Sequence, residues 1–260
     1  VDIAKQLPTV ISFCSGYGGL ERGLDLAGVE HRVIAYVEIE AFAIANLVAK
    51  MESGALVPAP IFTDIKTFPA HLFRDCVDII TGGYPCQPFS AAGKRLGTED
   101  SRHLWPYIRQ HIRTIRPSRC FFENVEGHIS LGLREVIGDL EGAGYDATWG
   151  IFSAAEVGAP HQRKRVYILA DTISAGLQRY AGDGNDSEEP GRYRAQTARS
   201  ISASCVSGGE RNKWPPEPRL GRVVDGCADR VDRIRLLGNG VVPQTAANAW
   251  ITLVNKEITG

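Results

Sequence analysis

The sequence predicts an α/β protein: a doubly wound, mostly parallel sheet, interrupted late in the chain by a small, largely irregular insertion. Three observations carry this expectation. Short apolar runs alternate with helical patterns through the first two thirds of the chain. A glycine-rich turn joins the first run to the first helix, a connection typical of α/β units rather than hairpins. After Asp171 the apolar periodicity stops, and it returns only near the end.

Taken along the chain, Thr9–Cys14 reads as the first strand, followed by the turn Ser15-Gly16-Tyr17-Gly18-Gly19 and a helix over Leu20–Ala27. Val33–Val37 is a second strand, and Ala41–Met51 a helix with few breakers. Val77–Thr81 and Arg119–Phe122 extend the sheet, with Leu104–Ile115 and Leu131–Ala143 as crossover helices. Val166–Ala170 is a late strand, and Gln244–Ile258 an amphipathic helix. Residues 1–171 plus 237–260 are therefore expected to form one catalytic and cofactor-binding domain, with 172–236 as a short separate region. No internal repeat is visible.

Composition bounds the function. With 260 residues, 43% of them apolar and 23% charged, the chain can bury a sizeable core. A net charge of −1 excludes a polybasic protein that coats nucleic acid indiscriminately, so any such surface must be a local patch. Residues 190–240 hold ten Lys and Arg against five Asp and Glu. That stretch is either a solvated loop or an insertion that contacts phosphates and reads bases. The six cysteines show no C-x-x-C spacing, which argues for thiols in a reducing compartment and against a structural metal. No basic leader precedes a long apolar stretch and no run of 18 apolar residues occurs, so a cytoplasmic protein with no membrane segment is expected.

The strongest motif is Gly82-Gly83-Tyr84-Pro85-Cys86-Gln87-Pro88-Phe89-Ser90, directly after an apolar strand. A cysteine held between prolines at a strand exit sits where open α/β sheets bind ligands, and its thiolate is a competent nucleophile. A second short strand ends in Glu123-Asn124-Val125. In a parallel sheet Glu123 and Cys86 leave at the same edge, pairing a nucleophile with a carboxyl group. Taken alone, Glu123 is equally a helix-initiating carboxylate. At the first strand's end, the glycines let the backbone approach a ligand at a helix N-terminus. Glu38 closes the second strand about 20 residues on, where an acidic side chain binds ribose hydroxyls. Asp64, after Ile61-Phe62-Thr63, is placed to accept from an adenine amino group. No G-x-x-x-x-G-K-[ST] occurs, so a triphosphate loop is not expected.

These blocks resemble the DNA (cytosine-5)-methyltransferases, in particular short bacterial or phage-type members. The Pro-Cys-Gln turn and the Glu-Asn-Val triplet match that family's catalytic signatures. His161-Gln162-Arg163-Lys164-Arg165 and Gly238-Asn239-Gly240-Val241-Val242-Pro243 match two further blocks, in the family's order. The similarity covers residues 10–170 and 219–258. It implies the sheet of S-adenosylmethionine-dependent methyltransferases, with S-adenosylmethionine as cofactor, S-adenosylhomocysteine as product and no metal. Family positions for that cofactor fall on Ser15, Gly16, Tyr17, Gly18, Gly19 and Leu20, on Glu38 with Ile39, and on Asp64 with Ile65. They continue at Pro85, Leu104, Asn239, Gly240 and Val241.

The resemblance also implies a reaction. Cytosine C5 is too weak a nucleophile to take a methyl group unaided, so Cys86 is expected to add at C6 and Glu123 to act at N3. Arg163 and Arg165 resemble the arginines that orient the cytosine and its phosphate; as bare residues they also fit a basic surface cluster. Gln87, Ser90, Asn124 and Arg95 are the expected substrate contacts. Ser90–His103 has glycines and cations but no apolar pattern. It is either a loop that closes over an extruded base or a surface connection. Double-stranded DNA is the implied partner of a monomer, with a cognate restriction endonuclease as one biological setting and phage protection or solitary marking as others.

Three departures stand out. Cys14 occupies a position where the family often has phenylalanine, and strand alternation turns Phe13 to the opposite face. His161 stands where many relatives have glutamine. The region 172–236 is short for a target-recognition domain, with Trp214-Pro215-Pro216 and Arg219–Arg235 as its ordered part, so a short recognition sequence or relaxed specificity is expected. Two alternatives use the same residues differently: an RNA (tRNA) cytosine-5 methyltransferase and a catalytically inactive DNA-binding relative. The Thr-Cys-type block and the Cys-Phe-Thr segment of RNA enzymes are absent, and both Cys86 and Glu123 are present.

Overall fold

The structure, a computed structural model, describes residues 7–86, 104–173 and 238–259. The strands β1 (Thr9–Phe13), β2 (Arg32–Val37), β3 (Ile61–Phe62), β4 (Ile79–Gly82), β5 (Arg119–Val125), β6 (Tyr145–Ser153) and β7 (Lys164–Thr172) form one sheet among the described residues. Its order is β3-β2-β1-β4-β5-β7-β6. The first five are mutually parallel, and β7 runs antiparallel to both its neighbours. From β1 the chain moves outward through β2 to β3, then returns to β4 on the other side of β1. The switch point therefore lies between β1 and β4, and a crevice opens beyond their C-terminal ends.

Helices α1 (Gly19–Leu26), α2 (Ala41–Glu52), α3 (Trp105–Ile115), α4 (His128–Leu131), α5 (Leu133–Glu141) and α6 (Pro243–Thr259) cover the sheet. Adjacent strand residues point to opposite faces, and the core divides accordingly. Ile11, Phe13, Ile80, Phe122 and Ile168 pack with Ile108 and Ile112 of α3 and with Val136 and Leu140 of α5. Val10, Ile79, Phe121, Tyr167 and Leu169 face Leu24 of α1, Leu47 of α2, and Trp250 and Leu253 of α6. With both faces covered, the central strands are continuously apolar, which is why they were legible as short runs. Across the second face, Phe121 meets Trp250 edge-on at 5.1 Å.

Close approach explains one mid-helix glycine. A Cβ on Gly23 would lie 2.6 Å from the Ala246 Cβ, so α1 and α6 touch backbone to side chain there. At the far end from the crevice, Arg119 grips Asp171 with two bonds of 2.6 and 2.8 Å, locking the β5–β7 register.

The structure differs from the sequence expectation in three elements. Strand β5 continues past Phe122 to Val125, so Glu123 and Asn124 lie within the ladder opposite Tyr167 and Val166. The expected Leu131–Ala143 helix begins at Leu133, after the separate turn α4. Strand β6 was not anticipated. Its outer position leaves Trp149 and Ile151 exposed, and Gly150 interrupts its alternation. Among the described residues, no helix is long and apolar enough to cross a membrane. Most of the region 172–236 lies outside the described residues.

Candidate active site

At the end of β1 the backbone turns tightly. Cys14, Gly16 and Gly18 all have positive φ, of 50°, 55° and 81°. For Gly16 and Gly18 the absent Cβ makes this conformation accessible without strain. The turn is tied to β2, because the Gly16 N–H donates to Glu38 Oε2 at 2.7 Å and the Glu40 N–H to Oε1 at 2.9 Å. Ser15 Oγ donates to the Ser12 carbonyl at 2.9 Å. Glu38 is thus a buried bracket between neighbouring strand ends. Asp64, just beyond β3, accepts from the Lys66 N–H at 2.9 Å through Oδ1. Ile39 is exposed at the rim, whereas Ile65 is buried in the core. The Phe13 ring packs against Phe68 and His111 in the core, and Phe13 is also among the residues that line the recess beside this turn. Burial, reinforced by Glu38, pushes the Cys14 thiol up to about 12, which makes it inert.

The opposite wall is the segment Gly238–Val241. Arg163, itself at φ 35°, donates to the Gly238 carbonyl at 2.8 Å and to the Gly240 carbonyl at 2.5 Å. Tyr17 Oη donates to the Val241 carbonyl. A Cβ on Gly240 would fall 1.8 Å from a Tyr17 ring carbon, and one on Gly19 would fall 2.8 Å from the Val241 oxygen. Glycine is required at both positions because the walls meet there.

Between the walls lies a recess lined by Cys14, Ser15, Gly16, Tyr17, Glu21, Gly83 and residues 239–241, among others. No lysine or arginine is among its described lining residues. Glu21, which the sequence reading did not single out, is 2% exposed in the recess wall. Thr81 Oγ1 donates to its Oε1, while Oε2 has no hydrogen-bond partner among the described residues. Lys50 stands behind this wall, its Nζ donating to the Tyr17 carbonyl at 2.6 Å, so the lining itself offers a carboxyl group with a spare oxygen and no cation, which suits a positively charged, nucleoside-bearing ligand.

The second half of the site is built where β4 and β5 end side by side. A Cβ on Gly83 would sit 3.6 Å from Glu123 Oε2 and 3.9 Å from Val241. Asn124 Nδ2 donates to the Tyr84 carbonyl at 3.1 Å, and its Oδ1 accepts the Val125 N–H at 2.9 Å. The Pro-Cys turn is therefore pinned to the end of β5. Pro85 is exposed and Cys86 half-buried, and burial raises the thiol above its ordinary value. The Cys86 sulfur lies 4.0 Å from Nδ1 of His128, a buried residue of α4 with no marked signal in the sequence.

Glu123 is 6% exposed. Burial raises its carboxyl to about 7, and the positive charges of Arg165 and Arg163 oppose that shift without cancelling it. Arg165 Nε stands 2.9 Å from Oε1. The charge of Arg165 and its hydrogen bond to the carboxyl both act against the upward shift, and burial outweighs them.

Glu123, Arg163, Arg165, the glycine turn and residues 239–241 lie around one crevice, and Cys86 stands just past the end of β4, the strand next to β5, with its sulfur near His128. Leu104 lies at the head of α3, packed against the core. Gln87, Ser90 and Arg95 lie outside the described residues, as does the whole of the expected closing loop, Ser90–His103.

Comparison with known proteins agrees with this arrangement. The sequence model of the C-5 cytosine-specific DNA methylases matches residues 8–204. Type II methyltransferase M.NaeI of Lentzea aerocolonigenes is 34% identical over 166 residues, 62% of this chain and 39% of that protein. M.NgoMIV of Neisseria gonorrhoeae is 31% identical over 166 residues, 62% of this chain and 51% of that protein. The chain thus spans about half, or less, of the length of these relatives. The crystal structure of S. pombe Dnmt2 methyltransferase superposes with a TM-score of 0.54 at 25% identity, covering 71% of this chain and 59% of its own. By the family match over most of its length, the chain belongs to the C-5 cytosine-specific DNA methylases.

Proposed function

We propose that this protein transfers a methyl group from S-adenosylmethionine to C5 of a cytosine in double-stranded DNA. The observation that carries the reading is the buried Glu123 carboxyl of β5, paired with Arg165 and lying beside Gly83 at the end of the neighbouring parallel strand β4, which leads into Cys86. Family membership supports it.

The bound cofactor supplies an electrophilic methyl group on a sulfonium. Glu38 and the Gly16–Gly19 turn would hold its nucleoside end, with Glu21 and residues 239–241 along its other side. The thiolate of Cys86 adds to cytosine C6, and the electron pair of the C5–C6 double bond moves to C5. Glu123, with its carboxyl at about 7, is part-protonated near neutrality and donates a proton to N3, which receives the charge that addition develops. After C5 has taken the methyl group, a base removes the C5 proton, the sulfur leaves C6 as thiolate, and N3 returns its proton to Glu123. Arg165 keeps Glu123 oriented, and Arg163 holds the 238–240 wall against the turn. Reaching C5 requires the base to leave the duplex stack, at a cost of about a few kcal/mol.

Incubation with methyl-labelled S-adenosylmethionine and either duplex DNA or transfer RNA tests the reading. Label is expected as 5-methylcytosine in duplex DNA and absent with the Cys86→Ser variant. Label in transfer RNA alone would overturn the DNA assignment, and undiminished transfer by Cys86→Ser would overturn the covalent step.

A further inference from the structure

A histidine stands behind the nucleophile. His128 of α4 is 2% exposed, and its Nδ1 is 4.0 Å from the Cys86 sulfur. Its other nitrogen, Nε2, is 3.0 Å from the Tyr84 phenol oxygen, which is also buried. Tyr84 and Cys86 belong to the same turn, so one imidazole touches it twice. The ring has little freedom: it packs perpendicular to the Tyr84 ring at 5.6 Å, and a Cβ on Gly132 would meet its Cε1 at 3.0 Å.

The Tyr84 contact favours one tautomer. The phenol O–H has His128 Nε2 within reach at 3.0 Å, and donating to it leaves the proton of a neutral ring on the other nitrogen. Burial holds the imidazole at about 4, so it is neutral near pH 7 and carries its single proton on Nδ1, facing the sulfur.

We propose that His128 is a positioning residue for the nucleophile, its Nδ1–H donating to the Cys86 sulfur and favouring the thiolate. The inference rests on Cys86 being the attacking group. The thiol proton leaves to solvent, the sulfur keeps the electron pair, and His128 stays neutral throughout. At 4.0 Å the contact is at the long end for a hydrogen bond to sulfur, and catalytic hydrogen bonds commonly tighten when substrate closes on them. Among the described residues, the ionisable groups around the pair are Tyr84 on the same turn, Glu123 from β5 and Glu135 from α5, the two carboxyls acting on the phenol. Neither of them supplies a proton donor that would replace Nδ1–H at the sulfur when ionised.

The test is the pH dependence of iodoacetamide alkylation at Cys86 in the full chain, resolved from the other cysteines by peptide mass spectrometry. His128→Leu should displace the profile upward and slow alkylation near pH 8 by about three- to tenfold. His128→Asn, whose amide nitrogen can reach the Nδ1 position, should return the rate to within about twofold of the parent. Tyr84→Phe, which keeps the burial but frees the tautomer, should fall between them; it also serves if His128→Leu does not fold. Unchanged profiles in His128→Leu and Tyr84→Phe would overturn the inference, as would failure of His128→Asn to recover. Because alkylation needs no methyl transfer, an inactive chain with a displaced profile would count against the proposed reaction and not against this contact.

Discussion

Arg165 reaches from β7 to the Glu123 carboxyl on β5, with Nε 2.9 Å from Oε1. Glu123 pairs across the ladder with Tyr167, so Arg165 is its diagonal neighbour on the same face. Two opposing influences meet on this carboxyl. Burial raises it, the arginines restrain it, and it settles at about 7, near the working range of a general acid.

That value shapes the rate profile. In the proposed reaction transfer needs Glu123 protonated and Cys86 ionised, and the thiol lies higher than the carboxyl. The product of the two populations climbs with pH to about 7 and then flattens until the thiol itself ionises. Glu123→Gln should lower kcat by roughly 10²- to 10⁴-fold and continue climbing past the break. Steady-state kcat/KM against pH, for both proteins, checks this.

The same carboxyl has a stability signature of opposite sense to an ordinary ion pair. Its folded value is raised from 4.5 to about 7, so the folded chain holds a proton that the unfolded chain has already lost. The associated stability is complete below pH 4.5 and declines as pH rises toward about 7. Denaturant unfolding of Glu123→Gln should lack this decline, with the parent losing on the order of 1–3 kcal/mol relative to the variant across that window.

The two walls of the recess meet through glycine. In Gly240→Ala the new methyl group would lie 1.8 Å from the Tyr17 ring, which must move and give up its bond to the Val241 carbonyl. Affinity for S-adenosylmethionine, measured by calorimetry, should fall by about tenfold or more, the equivalent of one lost hydrogen bond. Arg163→Ala, which frees the Gly238 and Gly240 carbonyls, should weaken binding in the same direction.

Gly23 tests the packing independently of the site. An alanine there is better for an isolated helix but would bring its Cβ to 2.6 Å from Ala246 on α6. Overpacking should dominate, and Gly23→Ala should lower unfolding stability by about 1–3 kcal/mol.

Much of this arrangement was legible in the chain. The central strands are buried on both faces and therefore appear as apolar runs, and the glycines mark the places where backbones must meet. Cys86 stands out because a thiol just after a strand is chemically conspicuous; Glu123 stands out for the same reason in the sequence, although the structure places it within β5. What the sequence hid depends on three-dimensional neighbours. Strand β6 has one sparsely covered face, so its apolar pattern is diluted. Glu21 looks like any first-turn helix carboxylate until its burial is known. His128 is an isolated histidine whose meaning comes from Tyr84 and Cys86, more than 40 positions away in the chain. The roles of Arg163 and Arg165 also divide in the structure, one tying down a loop and the other a carboxyl, although adjacent spacing made them look equivalent.

The most direct test replaces the target cytosine with 5-fluorocytosine in duplex DNA that the protein methylates. Fluorine at C5 cannot leave as a proton does, so the bond between sulfur and C6 should persist. The account predicts a denaturation-resistant protein–DNA adduct that forms only with S-adenosylmethionine present and maps by peptide mass spectrometry to Cys86. Methylation of the unmodified duplex with no adduct on the fluorinated one, or an adduct at any other residue, would contradict it.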